Sequence, residues 1–265
     1  MATEVVGQER AVATLERAAE RPAHAYLLVG PRGSGVEEAA RGFAARLIGA
    51  ADERAESLVQ RGLHADVIEF EPGGPTYKVD DVRERMLPAA HRAPVEGARK
   101  VLLIFEAEKL CLPPAIAANA LLKTLEEPPP STVVILVTAN ADELIATIRS
   151  RCQRVDFEPV DDAALRAALE RAGVAPEAAA LAATLSGGQL ARARALAGPL
   201  AALRATFAGV PAQINGTGAR AIALAEELDA AVAAAAAAVA QRHTAELESF
   251  DAEMERYGYS DRDAQ

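Results

Sequence analysis

Along the first 160 positions, short uninterrupted apolar runs alternate with stretches in which apolar residues recur every three or four places. The runs at 25–29, 67–70, 100–106 and 132–138 have strand length, and Val-Leu-Leu-Ile-Phe at 101–105 is too continuous for either face to meet water. A fifth strand is expected within 148–157, after a turn. The intervening stretches read as helices. The first covers 6–20, with Val12, Leu15 and Ala19 at helical spacing, and the next follows a glycine-rich turn with Ala39, Phe43, Ala44 and Leu47 on its apolar face. Two more cover 79–89 and 113–127, the latter stopped by Pro128-Pro129-Pro130. Strands alternating with helices predict an α/β fold whose parallel sheet carries helices on both faces.

Beyond Glu158-Pro159 the strand signal ends. Positions 161–173, 176–185 and 189–197 read as three short helices, and everything from 199 onward reads as helical. The expected division is 1–160, 161–198 and 199–265. The last 65 residues carry ten acids against five bases, and the polar end at 257–265 is expected to fray.

With 51% apolar residues among 265, a large core is feasible, built from aliphatic side chains and Ala because there is no Trp. The formal charge of -10 argues against a protein that coats DNA by itself, since phosphate binding depends on a surplus of Lys and Arg. Cys111 and Cys152 are too few for a disulfide framework or a four-cysteine zinc site, and they read as small buried hydrophobes in a reducing cytosol. Positions 1–10 are polar, unlike a signal peptide, and the apolar runs are too short to cross a bilayer, so a soluble cytoplasmic protein is expected.

The strand at 25–29 runs into Gly30-Pro31-Arg32-Gly33-Ser34-Gly35 and then a helix, the architecture of a phosphate-binding loop. In the usual pattern, G-x-x-x-x-G-K-S/T, backbone N–H groups cradle phosphates, the lysine reaches the terminal ones and the hydroxyl binds Mg²⁺. Gly30, Gly33 and Gly35 are present, but Val36 and Glu37 stand at the lysine and hydroxyl positions. Valine supplies no cation, and a carboxylate at the helix N-terminus repels the phosphate that the dipole would favour. The strand at 100–106 departs in the same sense: Phe105 stands where an acid for Mg²⁺ is expected, leaving Glu106 as a vestigial acid. Productive ATP binding is not expected. Taken alone, the loop also reads as an ordinary glycine-rich turn.

Five segments carry more. They are His24-Ala25-Tyr26-Leu27 leading into Gly30-Pro31-Arg32-Gly33, His64-Ala65-Asp66-Val67 and Val79-Asp80-Asp81-Val82-Arg83. The others are Asn119-Ala120-Leu121-Leu122-Lys123-Thr124-Leu125-Glu126-Glu127-Pro128-Pro129 and Thr147-Ile148-Arg149-Ser150-Arg151-Cys152-Gln153. In these segments, from His24 to Phe157, the sequence resembles the clamp-loader branch of the AAA+ proteins and, within it, the delta-prime subunits of bacterial DNA polymerase III.

The resemblance implies an AAA+ domain at 1–160, a small helical lid at 161–198 and a helical collar at 199–265 that is shortened, divergent or cut. It implies that Arg151 acts in trans as an arginine finger on ATP held by a neighbouring tau/gamma subunit. A guanidinium suits that task as a planar, permanently charged donor. Arg149 and Arg154 flank it and are open to a phosphate or an interface contact, neither being singled out by spacing. Thr138 and Asn140 fall at the family's polar sensor, where a structural role is favoured, and Arg192 falls near the lid's sensor arginine, with Arg194 close by. The implied partners are the tau/gamma and delta subunits, the beta sliding clamp through the complex, and DNA only indirectly, with the chain as a stator that needs no cofactor. Family members commonly carry a four-cysteine zinc module that 49–63 lacks, so zinc is not expected. Two rival readings stay open: a weakly active tau/gamma-like ATPase, and an AAA+ remnant that serves only as an interaction protein.

Overall fold

Five strands form one sheet: β1 (Ala25–Val29), β2 (Val67–Phe70), β3 (Lys100–Ile104), β4 (Thr132–Thr138) and β5 (Gln153–Asp156). Their order is β2-β3-β4-β1-β5 and every neighbouring pair is parallel. The structure is a computed structural model that describes residues 5–50 and 53–256, and the chain divides into two compact units, 1–192 and 193–265.

Helices flank the sheet in the first unit: α1 (Glu9–Glu20), α2 (Val36–Ile48), α3 (Glu53–Gln60), α4 (Leu87–His91), α5 (Ile116–Glu126) and α6 (Ala146–Arg149). A π-helical stretch, Asp81–Met86, leads into α4. Because side chains alternate across a strand, the continuous apolar runs feed two cores. Tyr26, Leu28, Leu103 and Ile135 pack with Leu15 of α1 and Phe43 of α2, while Leu27, Leu102, Ile104 and Leu136 pack with Met86, Leu121 and Leu125 on the opposite face. Tyr26 meets Phe43 edge-on, ring centroids 4.8 Å apart, and its hydroxyl accepts the Ala23 N–H at 2.8 Å.

Several boundaries differ from those expected, the helix expected at 79–89 running from Asp81 to His91, and three of them have a local cause. Helix α1 starts at Glu9 rather than 6, because Gly7 has φ of 70°, and it buries Ala11, Leu15 and Ala18 instead of the stripe through Val12 and Ala19. Leu15 belongs to both stripes, and the small alanines beside it do not set the register. Strand β3 ends at Ile104 because Glu106 takes a left-handed conformation, φ 49°, that turns the chain. Helix α5 starts at Ile116 rather than 113, since Pro113 and Pro114 lack N–H groups and Ala115 is left-handed at φ 57°.

Helices α7 (Asp162–Arg171), α8 (Pro176–Ser186) and α9 (Leu190–Ala197) follow the sheet. Asp161 caps α7 by accepting the Ala164 N–H at 2.7 Å, and α7 packs on α8. The second unit contains α10 (Ala201–Gly209) and α11 (Gly218–Arg256), so its helical run is broken at 210–217. Leu224 is the buried residue among the described side chains from 199 onward. The predicted fraying end, 257–265, lies outside the described residues. Among the described residues no single helix is long and apolar enough to cross a membrane. Both cysteines are free; Cys111 is buried, whereas Cys152 is only partly so, and burial pushes its thiol up to about 12.

Candidate functional site

The carboxyl ends of β1, β3 and β4 meet at one edge of the sheet, the position where ligands sit in open parallel folds. Register places Val29 beside Thr138, and Gly30, the first residue of the loop, donates its N–H to the Thr138 carbonyl at 3.0 Å. Gly33 (φ 76°) and Gly35 (φ 91°) take the left-handed conformation that lets the chain curl into a phosphate-loop shape ahead of α2. From behind, buried Gln8 clasps the loop. Its Nε2 donates to the carbonyls of Ser34 (3.1 Å) and Glu158 (2.6 Å), and its Oε1 accepts the Glu158 N–H at 3.3 Å.

Val36 and Glu37, the side chains that follow the loop, supply neither a cation nor a hydroxyl to it. Val36 is 2% exposed and belongs to the core shared with Phe43 and Leu103. Glu37 is half-buried, and its carboxyl is raised above the usual range by burial and then by the charge of Glu38, against the pull of Arg41 and Arg32. On the outer side, the Leu190 N–H donates to the Gly33 carbonyl at 2.8 Å, and the Gln189 Cβ lies 3.2 Å from where a Gly33 Cβ would stand.

Around the loop, several acids and bases of the chain pair with one another. Arg32 reaches Glu106 at 2.7 Å, and Lys109 reaches the other carboxylate oxygen at 2.6 Å. Burial works against the Glu106 charge, but the Lys109 hydrogen bond and the Arg32 charge hold its carboxyl below the usual range. Phe105 is buried, with the Arg41 guanidinium 4.9 Å from its ring centroid, and Arg41 makes two hydrogen bonds to Glu69, 2.8 and 2.7 Å. Thr138 donates to Glu108 at 2.6 Å and accepts the Asn140 N–H at 3.2 Å; Asn140 in turn accepts the Asp142 N–H at 3.0 Å. Gly30, Phe105, Glu106 and Thr138 are thus brought to one edge. Among the described residues no group of three or more His, Cys, Asp or Glu is arranged to hold a metal ion.

Arg151 stands apart from this loop, in the turn that follows α6. Its Nη1 donates to the Thr147 carbonyl at 2.9 Å, its Nη2 lies 2.6 Å from a Glu126 carboxylate oxygen, and its side chain remains about one-third exposed (32%). Arg149 pairs with Asp142 at 2.8 Å and Arg154 with Asp156 at 2.7 Å. Arg192 is exposed at the last position of the first unit, and Arg194 is exposed in the second. The clasp by Gln8 and the Glu126 partnership of Arg151 were not visible in the sequence. Glu126 lies in the 119–129 segment, yet nothing in its spacing points to residue 151.

The parallel sheet, the loop after the interior strand β1 and the helices after it define an AAA+ fold of the P-loop type. Two solved structures from Thermotoga maritima share it. A DNA polymerase III gamma subunit-related protein has a TM-score of 0.52 at 23% identity over 79% of this chain and 68% of that one. The RuvB Holliday junction branch migration motor has a TM-score of 0.51 at 20% identity, over 78% and 64%. Residues 7–161 match the family described as DNA polymerase III, delta subunit, and the chain belongs to that family. Among named relatives, DNA polymerase III subunit delta' of Pseudomonas aeruginosa is 41% identical over 49% of this chain and 42% of its own length. Subunit tau of Bacillus subtilis is 37% identical over 61% of this chain and 30% of its own length. The match therefore spans less than half the length of either relative.

Proposed function

We propose that this chain is a delta-prime-type subunit of the DNA polymerase III clamp loader that leaves its own phosphate loop uncharged and lends Arg151 to the ATP site of a neighbouring tau/gamma-type subunit. The observation that carries this reading is Val36. At the position of the phosphate-loop lysine stands a side chain sunk in the core at 2% exposure. The residues present do not fit a triphosphate: Glu37 adds a carboxylate at the N-terminus of α2, and the one cation in the loop, Arg32, is paired with Glu106. Arg151, in contrast, keeps part of its guanidinium open to solvent.

In this role the guanidinium stabilises charge that builds on the transferring phosphoryl group. The silent protomer serves as a fixed wall against which ATP-binding neighbours close, and delta and the sliding clamp are its further partners through the complex. Equilibrium titration of the isolated chain with labelled ATP and Mg²⁺ tests the silent loop. No saturation is expected up to about 1 mM, and a Kd near 10 μM or tighter would overturn it.

The identity to subunit tau supports a second reading, a weakly active ATPase. The same titration separates the two, because that reading requires saturable Mg²⁺-dependent binding.

A further inference from the structure

The pairing of Arg151 with Glu126 has a consequence for how the guanidinium would be delivered, and it rests on the reading of Arg151 just given. Glu126 is the last residue of α5, the end at which the helix dipole disfavours a carboxylate. Arg151 offsets that charge at 2.6 Å while its Nη1 holds the Thr147 carbonyl of α6 at 2.9 Å, with the Ser150 hydroxyl 3.5 Å away. A guanidinium has five N–H donors, so these contacts leave some of them open, and both side chains remain partly exposed, 32% for Arg151 and 46% for Glu126.

We infer that Glu126 is the positioning residue of Arg151: its carboxylate parks the guanidinium against the chain's own surface and competes for it with the phosphoryl group of the neighbouring ATP. The competition follows from charge. A phosphoryl group within hydrogen-bond reach of the same guanidinium faces the Glu126 carboxylate at short range, and one anion gives way to the other. An exposed carboxylate–guanidinium pair shifts an equilibrium by only about 1.5- to 5-fold. That is weak enough for a triphosphate to displace and large enough to set how readily Arg151 swings across. Glu126 touches no nucleotide and acts only through Arg151.

The test uses the full chain assembled with its ATP-hydrolysing neighbour, comparing wild type, Glu126→Gln, Arg151→Ala and the double variant. A second readout is the ¹⁵N guanidinium signal of Arg151 in the free chain, which reports the pairing directly. Glu126→Gln is expected to shift and broaden that signal and to raise ATP turnover about 1.5- to 5-fold. The double variant is expected to match Arg151→Ala. If Arg151→Ala silences turnover while Glu126→Gln leaves it unchanged or lowers it, the competition is wrong and the arginine finger stands. If Arg151→Ala has no effect, the finger itself is wrong and this inference falls with it.

Discussion

Lys100 Nζ lies 2.9 Å from Asp66 Oδ1, with both side chains removed from solvent at the start of β3 and just ahead of β2. The same carboxylate accepts the backbone N–H groups of Val95 (2.7 Å), Glu96 (2.8 Å) and Gly97 (2.7 Å), so one side chain ties the loop before β3 to the sheet. Replacing Asp66 with Ala leaves a buried ammonium and three N–H groups without their acceptor. The expected loss is about 3–5 kcal/mol, read as a lower urea midpoint.

The same residue gives a pH dependence with a defined sign. Burial alone would raise the Asp66 carboxyl, but the N–H of Gly97, the Lys100 ammonium and the N–H groups of Val95 and Glu96 reverse this and hold it well below the usual carboxylate range. A depressed folded-state value means the contribution is fully present above the unfolded value, about 3.9, and is lost as pH falls through the folded one. The stability gap between wild type and Asp66→Asn should therefore stay constant from neutral pH down to about 5 and narrow only below about 4. Acid titration of both proteins by circular dichroism checks this, and a gap that narrows between pH 7 and 5 contradicts it.

Arg41 grips Glu69 with two hydrogen bonds and rests its guanidinium 4.9 Å from the centre of the Phe105 ring. Lysine has neither the planar fork nor the flat face for that stack. Arg41→Lys is expected to cost about 1–2 kcal/mol in urea unfolding, through the lost second hydrogen bond and ring contact.

Two glycines near the loop should respond in opposite directions to alanine. A Cβ on Gly30 would lie 2.6 Å from the Phe157 Cβ, whereas one on Gly42, inside α2, meets nothing within 4 Å. Gly30→Ala should destabilise by about 1–3 kcal/mol, and Gly42→Ala should stabilise by about 0.5–1 kcal/mol through helix propensity. Thermal midpoints of the two variants measure both.

The sheet was legible because its strands are short, apolar and bounded by turn residues; β1, β2 and β4 fall where the runs predict. Strand order was not, since a continuous apolar run names no neighbour. The stripe of α1 differs from the expected one by one position on both sides of Leu15, Ala11 for Val12 and Ala18 for Ala19, because alanine gives a weak hydrophobic signal. At the site, Val36 and Glu37 after the glycine-rich turn were readable directly, but the ion pairs around the turn join residues as distant as Arg32 and Glu106. Asp66 stands in the sequence only as part of the 64–67 segment, and its work as an anchor for residues 95–97 appears only once the chain is folded.

The central claim is that Arg151 stabilises charge on ATP held by another subunit, and ATP turnover of the assembled complex with and without its guanidinium tests it most directly. Arg151→Ala should lower turnover on the order of 10²- to 10³-fold. The stability of the isolated chain should change by no more than about 1 kcal/mol, since the pair with Glu126 is exposed. Turnover that stays at the wild-type level in a fully assembled complex would contradict the account.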